Sequence, residues 1–592
     1  MDNDVQFPYQ DPALPVRQRI GDLLERMTLE DKAGLLFHTM VRPGSPDSLA
    51  ADDDFGLPSP ATLLRERRMN HFNLLGAAGS ARELAQWHNA AQRLAAEVGL
   101  GIPITFSTDP RHAFTDNPGA AMMSGPFSQW PEPIGLAAIG DPELVRRFAD
   151  IARQEYLAVG LRVALHPQID LATEPRWARI SGTFGEDAAL TGELGAAYVR
   201  GFQGERLGPD SVSTMIKHFP GGGPQLDGED PHFSYGREQV YPSGNFDYHL
   251  RPFREVLAAG ASQVMPYYAM PVGTDHPEVG FSFNKSVVTG ILRTELGFDG
   301  IVCTDWGLLT DDEIMGQPMP ARAWGVEHLS CEDRALMIMN AGVDQFGGEA
   351  CPELIINLVR SGRLGEDRLD ISVRRLLLEK FRLGLFDDRR FVDAEAAASV
   401  VGRDDFRTAG DGAQRRSLTL LTNHDLDSAP ILPLKPGHNL YLEGVDPELA
   451  SGYGTPVDAP QDADVALIRL SAPYEPRTGG FESFFHAGSL AFDDHERDRI
   501  TDLCRTVPTI VIIHLDRPAV MGEIIDAAAA VVADYGASDA AVLDVITGAA
   551  QPQGRLPFDL PRSMAAVENS DPDAPFATED PIFRFGHGLR YD

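Results

Sequence analysis

The stretch GFDGIVCTDWG, residues 297–307, decides how the chain reads. Gly297 closes a helix-like run, DGIV enters a buried strand, and Asp305 leaves that strand beside Trp306. A glycine-capped helix followed by a strand that ends in a carboxylate is a repeating unit of parallel α/β folds, whose sites gather at the carboxyl ends of strands. Working outward, the same alternation recurs. Strands are expected at AGLLFHT from Ala33, NLLGA from Asn73, GIPITFSTD ending at Asp109, VALHPQIDLA from Val163, STMIKHF from Ser213, SQVMPYY from Ser262, GIVCTD and AGVDQF from Ala341. Helix-like segments such as SARELAQWHNAAQRLAAEVG and ELVRRFADIARQEYLAVG stand between them. Eight strands suit a closed (β/α)8 TIM-like barrel.

The barrel reading ends near Leu385. After an alanine-rich stretch, LTLLTN, HNLYLEG, VALIRLSA, TIVIIHLD and AAAVVADYG form a second set of apolar runs. These predict a separate α/β sandwich with a mainly parallel sheet. The expected division is a barrel over 1–395, a linker over 396–411 and the second domain over 412–592. FGHGL near the end reads as a docked terminal segment, with Phe585 and Leu589 packing around a glycine turn.

Composition narrows the class. Over 592 residues, 87 Asp and Glu against 51 Lys and Arg give a formal charge of -36, which repels nucleic acid and anionic membrane. There is no run of eighteen apolar residues, and MDNDVQFPYQDP does not resemble a signal peptide, so a cytoplasmic protein is expected. Cys303, Cys331, Cys351 and Cys504 have no CxxC spacing and read as reduced thiols. No HExxH pattern or calcium loop is visible, so no metal or cofactor is expected. A homodimer is the base-rate expectation.

The strand ends carry the chemistry. Asp109, Arg176, Lys217 and His218 can hold a small polyol by charged hydrogen bonds, and Tyr268 and Trp306 add aromatic surface for the apolar face of a sugar. Each has a plainer reading. Asp305 can cap a helix, Asp109 can pair with Arg111, Lys217 can be a surface charge, and His218 and Tyr268 can be satisfied core residues. The segment KHFPGGGPQLDGEDPH, from Lys217 to His232, lacks the GxxxxGK[ST] order of a phosphate-binding loop. Its glycines read instead as a tight turn, and Asp227, Glu229, Asp230 and His232 as its rim.

Taken together, FSTDPRHAF, EPRWARISGTFGED, KHFPGGGPQLDGEDPH and GFDGIVCTDWG, in this order, resemble glycoside hydrolase family 3, and the likeness covers both expected domains. The resemblance implies exo-acting, retaining hydrolysis of β-linked sugars. It makes Asp305 the nucleophile, Asp109, Arg176, Lys217 and His218 the holders of the terminal sugar, Tyr268 the nucleophile's neighbour and Trp306 a wall on the aglycone side. The chain departs from the family pattern at Ala178, where glycine is usual, and at Tyr267, where a small residue is frequent.

The same resemblance implies double displacement, with a second carboxyl group as acid/base roughly 5 to 5.5 Å from the nucleophile. Glu475, in the loop after VALIRLSA, matches the family's acid-bearing register, and Glu482, amid Phe481, Phe484 and Phe485, is the second candidate. His232 with Asp230 is the third, because one branch of the family uses a loop histidine and an aspartate. The substrates expected are small β-glucosides or oligosaccharides. A β-xylosidase and a noncatalytic sugar-binding protein are the alternatives.

Overall fold

The computed structural model describes residues 7–45, 48–50, 56–76, 79–117, 122–426 and 429–591. Residues 1–6 of the acidic start, and Ala77 of the expected second strand, lie outside this set. Eight parallel strands close into a barrel in chain order: β1 Phe37–Val41, β2 His71–Leu74, β3 Thr105–Thr108, β4 Leu161–Ala164, β5 Ser213–Phe219, β6 Gln263–Pro266, β7 Ile301–Trp306 and β8 Gln345–Gly347.

Two strand expectations shift for identifiable reasons. The apolar run at Ala33 is the end of a helix, Leu29–Leu35, whose Thr28 and Asp31 form a reciprocal cap, and β1 begins two residues after it. The run from Val163 leaves the sheet after Ala164 yet stays beside β5, with the Ile169 N–H donating to the Lys217 carbonyl at 2.6 Å.

Inside the barrel, Val163, Leu165, Met215, Met265 and Cys303 pack together beneath Trp306. The amino-terminal end of the barrel is tied by the helix Glu366–Arg382. Its buried Lys380 donates to the carbonyls of Asn70 and Pro103 and to Thr105 Oγ1, while Glu379 accepts from Ser213 and Gln263.

The second sheet has six strands: β9 Thr419–Asn423, β10 Asn439–Glu443, β11 Thr455–Val457, β12 Val465–Ser471, β13 Thr509–His514 and β14 Ala530–Asp534. Their order is β9-β14-β13-β12-β10-β11, parallel except where β9 meets β14. Strand β11 has no counterpart among the expected apolar runs, because it is a three-residue edge strand with little buried surface. Residues 396–411, read as a linker, lie across two helices, Ala394–Val400 and Asp404–Ser417. The terminal segment does dock, but through its backbone. The Leu589 N–H donates to the Leu420 carbonyl at 2.8 Å while the Leu589 side chain stays 40% exposed.

Backbone donors of each domain are met by carboxylates across the interface. Glu186, just before the helix Ala188–Gln203, accepts from the N–H groups of Asp559 and Phe576 at 2.6 and 2.8 Å. Asp573 accepts from those of Ser243 and Asn245. These contacts seat the second domain against loops that follow β4 and β5, which brings its 472–489 loop to the barrel mouth.

Candidate active site

At the carboxyl end of the barrel a cavity of about 700 Å³, counting its open mouth, is lined by residues from all eight strand ends, from the loops that follow them and from one loop of the second domain. Asp109, Lys217, His218, Tyr268, Asp305 and Trp306 all line it. Asp109 pairs with Lys217 at 2.8 Å and receives a 3.4 Å contact from the Asn73 amide. Arg111, the alternative partner of Asp109, is turned away to Thr108 Oγ1 and the carbonyls of Leu74 and Gly76. Lys217 is buried, not a surface charge.

His218 joins both of its readings. Its Nδ1 donates to Asp170 at 2.7 Å, which leaves Nε2 facing Asp305 Oδ2 at 3.9 Å. Burial pushes the His218 imidazole well below its ordinary value, and the same burial lifts Asp170 to about 6. Asp170 is why the glycines are needed. Its Oδ1 accepts from the N–H groups of His218 and Gly222, and a Cβ on Gly222 would crowd both Asp170 and Tyr267. A Cβ on Gly223 would collide with the Leu171 carbonyl. The glycine run is thus a close-packed turn that orients His218.

Asp305 is 6% exposed, and its Oδ1 is held by the Trp306 N–H at 2.9 Å. Its Oδ2 is buried and has no hydrogen-bond partner among the described residues. Such an oxygen costs about 1–3 kcal/mol or more when left unmade, so it marks where a ligand atom belongs. Tyr268 braces the turn, donating its hydroxyl to the Trp306 carbonyl and accepting from the Trp306 N–H, both at 2.9 Å. Gly347 and Gly348 leave room for the Trp306 ring, which side chains there would strike.

Three expectations are displaced. Arg176 does not line the cavity: Glu174 holds its guanidinium through two 2.9 Å hydrogen bonds. Arg179, three residues on, takes the place on the wall. Glu475 is also absent from the wall, and its Oε1 accepts from the Ser489 N–H at 3.2 Å within its own loop. That loop is tied down by buried Arg517, which donates to the carbonyls of Pro473, Ala487, Gly488, Ser489 and Arg176. Glu482 accepts from the Tyr235 hydroxyl, and only its neighbour Phe481 reaches the cavity.

His232 does line the cavity. Its Nδ1 donates to Asp230 at 2.6 Å, and its ring meets Tyr268 edge-on at 4.6 Å and Phe485 at 5.0 Å. Asp230 is fixed by further donors, Trp177 Nε1 at 3.0 Å and the Tyr267 hydroxyl at 3.1 Å. Burial alone would raise the Asp230 carboxyl, but His232 beside it holds it well below its ordinary value. Burial lowers His232 itself, against the opposite pull of Asp230 and, more weakly, Asp305. Tyr267, a departure from the family pattern, therefore has a task in this chain, which is to orient Asp230. Among the described residues, no three or more His, Cys, Asp or Glu side chains gather into a group that could hold a metal ion.

The glycosyl hydrolase family 3 N-terminal domain model matches residues 72–378, and the C-terminal domain model of the same family matches 435–591. A probable β-glucosidase C of Aspergillus oryzae is 55% identical over 590 residues, covering 100% of this chain and 92% of that protein. A periplasmic β-glucosidase/β-xylosidase of Dickeya chrysanthemi is 42% identical, covering 98% and 91%. Among solved structures, a β-glucosidase of Listeria innocua in complex with glucose superposes with a TM-score of 0.75 at 22% identity, covering 98% of this chain and 83% of that one.

Proposed function

Because the chain belongs to glycosyl hydrolase family 3, we propose that it is an exo-acting, retaining β-glucosidase in which Asp305 is the nucleophile and His232, oriented by Asp230, is the acid/base. The observation that carries the reading is the buried, unpartnered Asp305 Oδ2 in a cavity whose other wall presents Asp109, Lys217 and Arg179. Those three supply donors and acceptors for the hydroxyls of one terminal sugar. Asp305 Oδ2 attacks the anomeric carbon, the bond to the leaving oxygen breaks, and the proton on His232 Nε2 passes to that oxygen. In the second half His232 takes a proton from water, whose oxygen displaces Asp305 with net retention. The choice of His232 over Glu475 rests on position: His232 is on the wall, with its Nδ1 committed to Asp230 and its Nε2 free of protein partners among the described residues.

Proton NMR of the first sugar released from 4-nitrophenyl β-glucoside tests the reading. A β-configured product is expected, and an initially α product overturns it. The 42% identical relative is named for both glucosidase and xylosidase activity, which favours a second reading, action on β-xylosides. A higher kcat/KM on 4-nitrophenyl β-xyloside than on the glucoside would replace the first with the second, since only the hydroxymethyl group distinguishes the two sugars.

A further inference from the structure

The cavity wall carries a third cation besides Lys217 and Arg179. Arg322, past the hairpin Asp312–Met319 that follows β7, is 4% exposed. No carboxylate of the described residues lies within 4.0 Å of it. Its side chain makes one long hydrogen bond, Nη1 to the Trp306 carbonyl at 3.4 Å, and its Nε is buried without a partner. Buried Arg162 and Arg517 also leave Nε unpaired, but several carbonyls hold their Nη groups, while Arg19 pairs with Asp387 at 2.7 Å and Arg111 is held by two carbonyls and a hydroxyl. The nearby acids do not neutralise Arg322. Asp311 Oδ1 is taken by the Ala321 N–H at 2.9 Å, and Asp312, although it shares the cavity wall, does not come within ion-pair distance of Arg322. A guanidinium withdrawn from water with no carboxylate in contact is costly, and a ligand that brings a charge into contact recovers part of that cost.

Position tells which part of a substrate this is. The proposed sugar holders Asp109, Lys217 and Arg179 come from the ends of β3 and β5 and from the loop after β4. Arg322 instead lies 5.9 Å from the centroid of the Tyr268 ring, the ring that His232 also meets. Given the reading above, in which His232 protonates the leaving oxygen, this is the leaving-group side. It is walled by Ile314 and Phe481, apolar surface suited to an aromatic ring.

We propose that Arg322 is an anion receptor in the leaving-group subsite and selects β-glucosides whose aromatic aglycone carries a carboxylate. With a chain charge of -36, long-range electrostatics work against any anionic substrate, so selectivity of this sign has to come from a local cation.

The test compares kcat/KM for the β-glucosides of 3- and 4-hydroxybenzoate with those of the matching hydroxybenzamides, in the wild type and in Arg322→Gln and Arg322→Lys. Comparing the acid-to-amide ratio between proteins cancels the intrinsic difference in leaving ability. The ratio is expected to fall about tenfold in Arg322→Gln for at least one isomer and to be largely kept in Arg322→Lys. An unchanged ratio in Arg322→Gln for both isomers overturns the proposal. Should Arg322→Gln fail to fold, wild-type inhibition decides: free hydroxybenzoate must inhibit more tightly than hydroxybenzamide, and equal inhibition overturns the proposal. Hydrolysis of 4-nitrophenyl β-glucoside by the wild type reports separately on the glucosidase reading, so the two can fail independently.

Discussion

Both ends of the barrel bury charge, and they treat it in opposite ways. At the amino-terminal end, Lys380 spends its three donors on Asn70 O, Pro103 O and Thr105 Oγ1, and both oxygens of Glu379 are taken by Ser213 and Gln263. At the carboxyl end, Asp305 Oδ2 and Arg322 Nε are buried and unpartnered. A buried ion whose valences are all met by protein contributes to holding strands together. One left short is a place where the fold has given up stability to await a ligand. The two ends should therefore separate under mutation, one losing stability and the other activity.

The largest effect belongs to Asp305. Asp305→Ala is expected to lower kcat on 4-nitrophenyl β-glucoside by at least about 10⁴-fold, with a melting temperature equal to or above that of the wild type because an unmet buried charge has gone. A clear loss of melting temperature would make Asp305 a structural cap and break the comparison. Next comes the proposed acid/base. His232→Ala should slow hydrolysis of alkyl glucosides by roughly 10²–10⁴-fold, leave formation of the glycosyl-enzyme from an activated aryl glucoside far less affected, and regain turnover with azide. Glu475→Ala should stay within about threefold of wild type; the azide-rescued pattern in Glu475→Ala instead would return the role to that residue. Because burial lowers the His232 value below 6.5, the alkaline limb of kcat/KM on alkyl glucosides should fall in the acidic range and vanish in His232→Ala.

At the opposite end, Lys380→Met should cost about 3 kcal/mol in urea unfolding, since two carbonyls and a hydroxyl lose their donor. Its KM for glucoside should be that of the wild type. A changed KM with unchanged stability would mean that the ends are not separable. The smallest effect concerns the domain contact. Burial raises Glu186 from 4.5 to about 8. A raised acid stabilises the fold fully below its unfolded value and loses that contribution as pH rises through the folded one. The melting temperature should therefore decline between about pH 5 and 8, and the decline should be shallower in Glu186→Gln.

How much of this was legible in the chain follows from what each element depends on. The eight barrel strands were readable because parallel strands covered on both faces are continuous apolar runs, while Ala33–Leu35 misled because such a run is also what a buried helix end looks like. Strand β11 was invisible, as an exposed edge leaves no apolar signature. Asp109, Lys217, His218 and Asp305 were found because they sit at the mouth ends of three strands, β3, β5 and β7, where a strand's carboxyl end opens onto the cavity.

Residues on loops were another matter. In EPRWAR the two arginines are chemically equal, and only the seating of Glu174 against Arg176 sends Arg179 to the cavity. Glu475, Glu482 and His232 all sit in loops of suitable composition. Which one lines the cavity depends on Arg517 pinning the 472–489 loop, and on Trp177 and Tyr267 fixing Asp230. The sequence by itself determined the periodicity, the strand ends and the local turn chemistry, because these depend on residues within a few positions of one another. Only the tertiary structure decided which loop residues line the cavity and which arginine is left unpaired, because both depend on partners up to 341 residues away in the chain, whose distance sequence order does not encode.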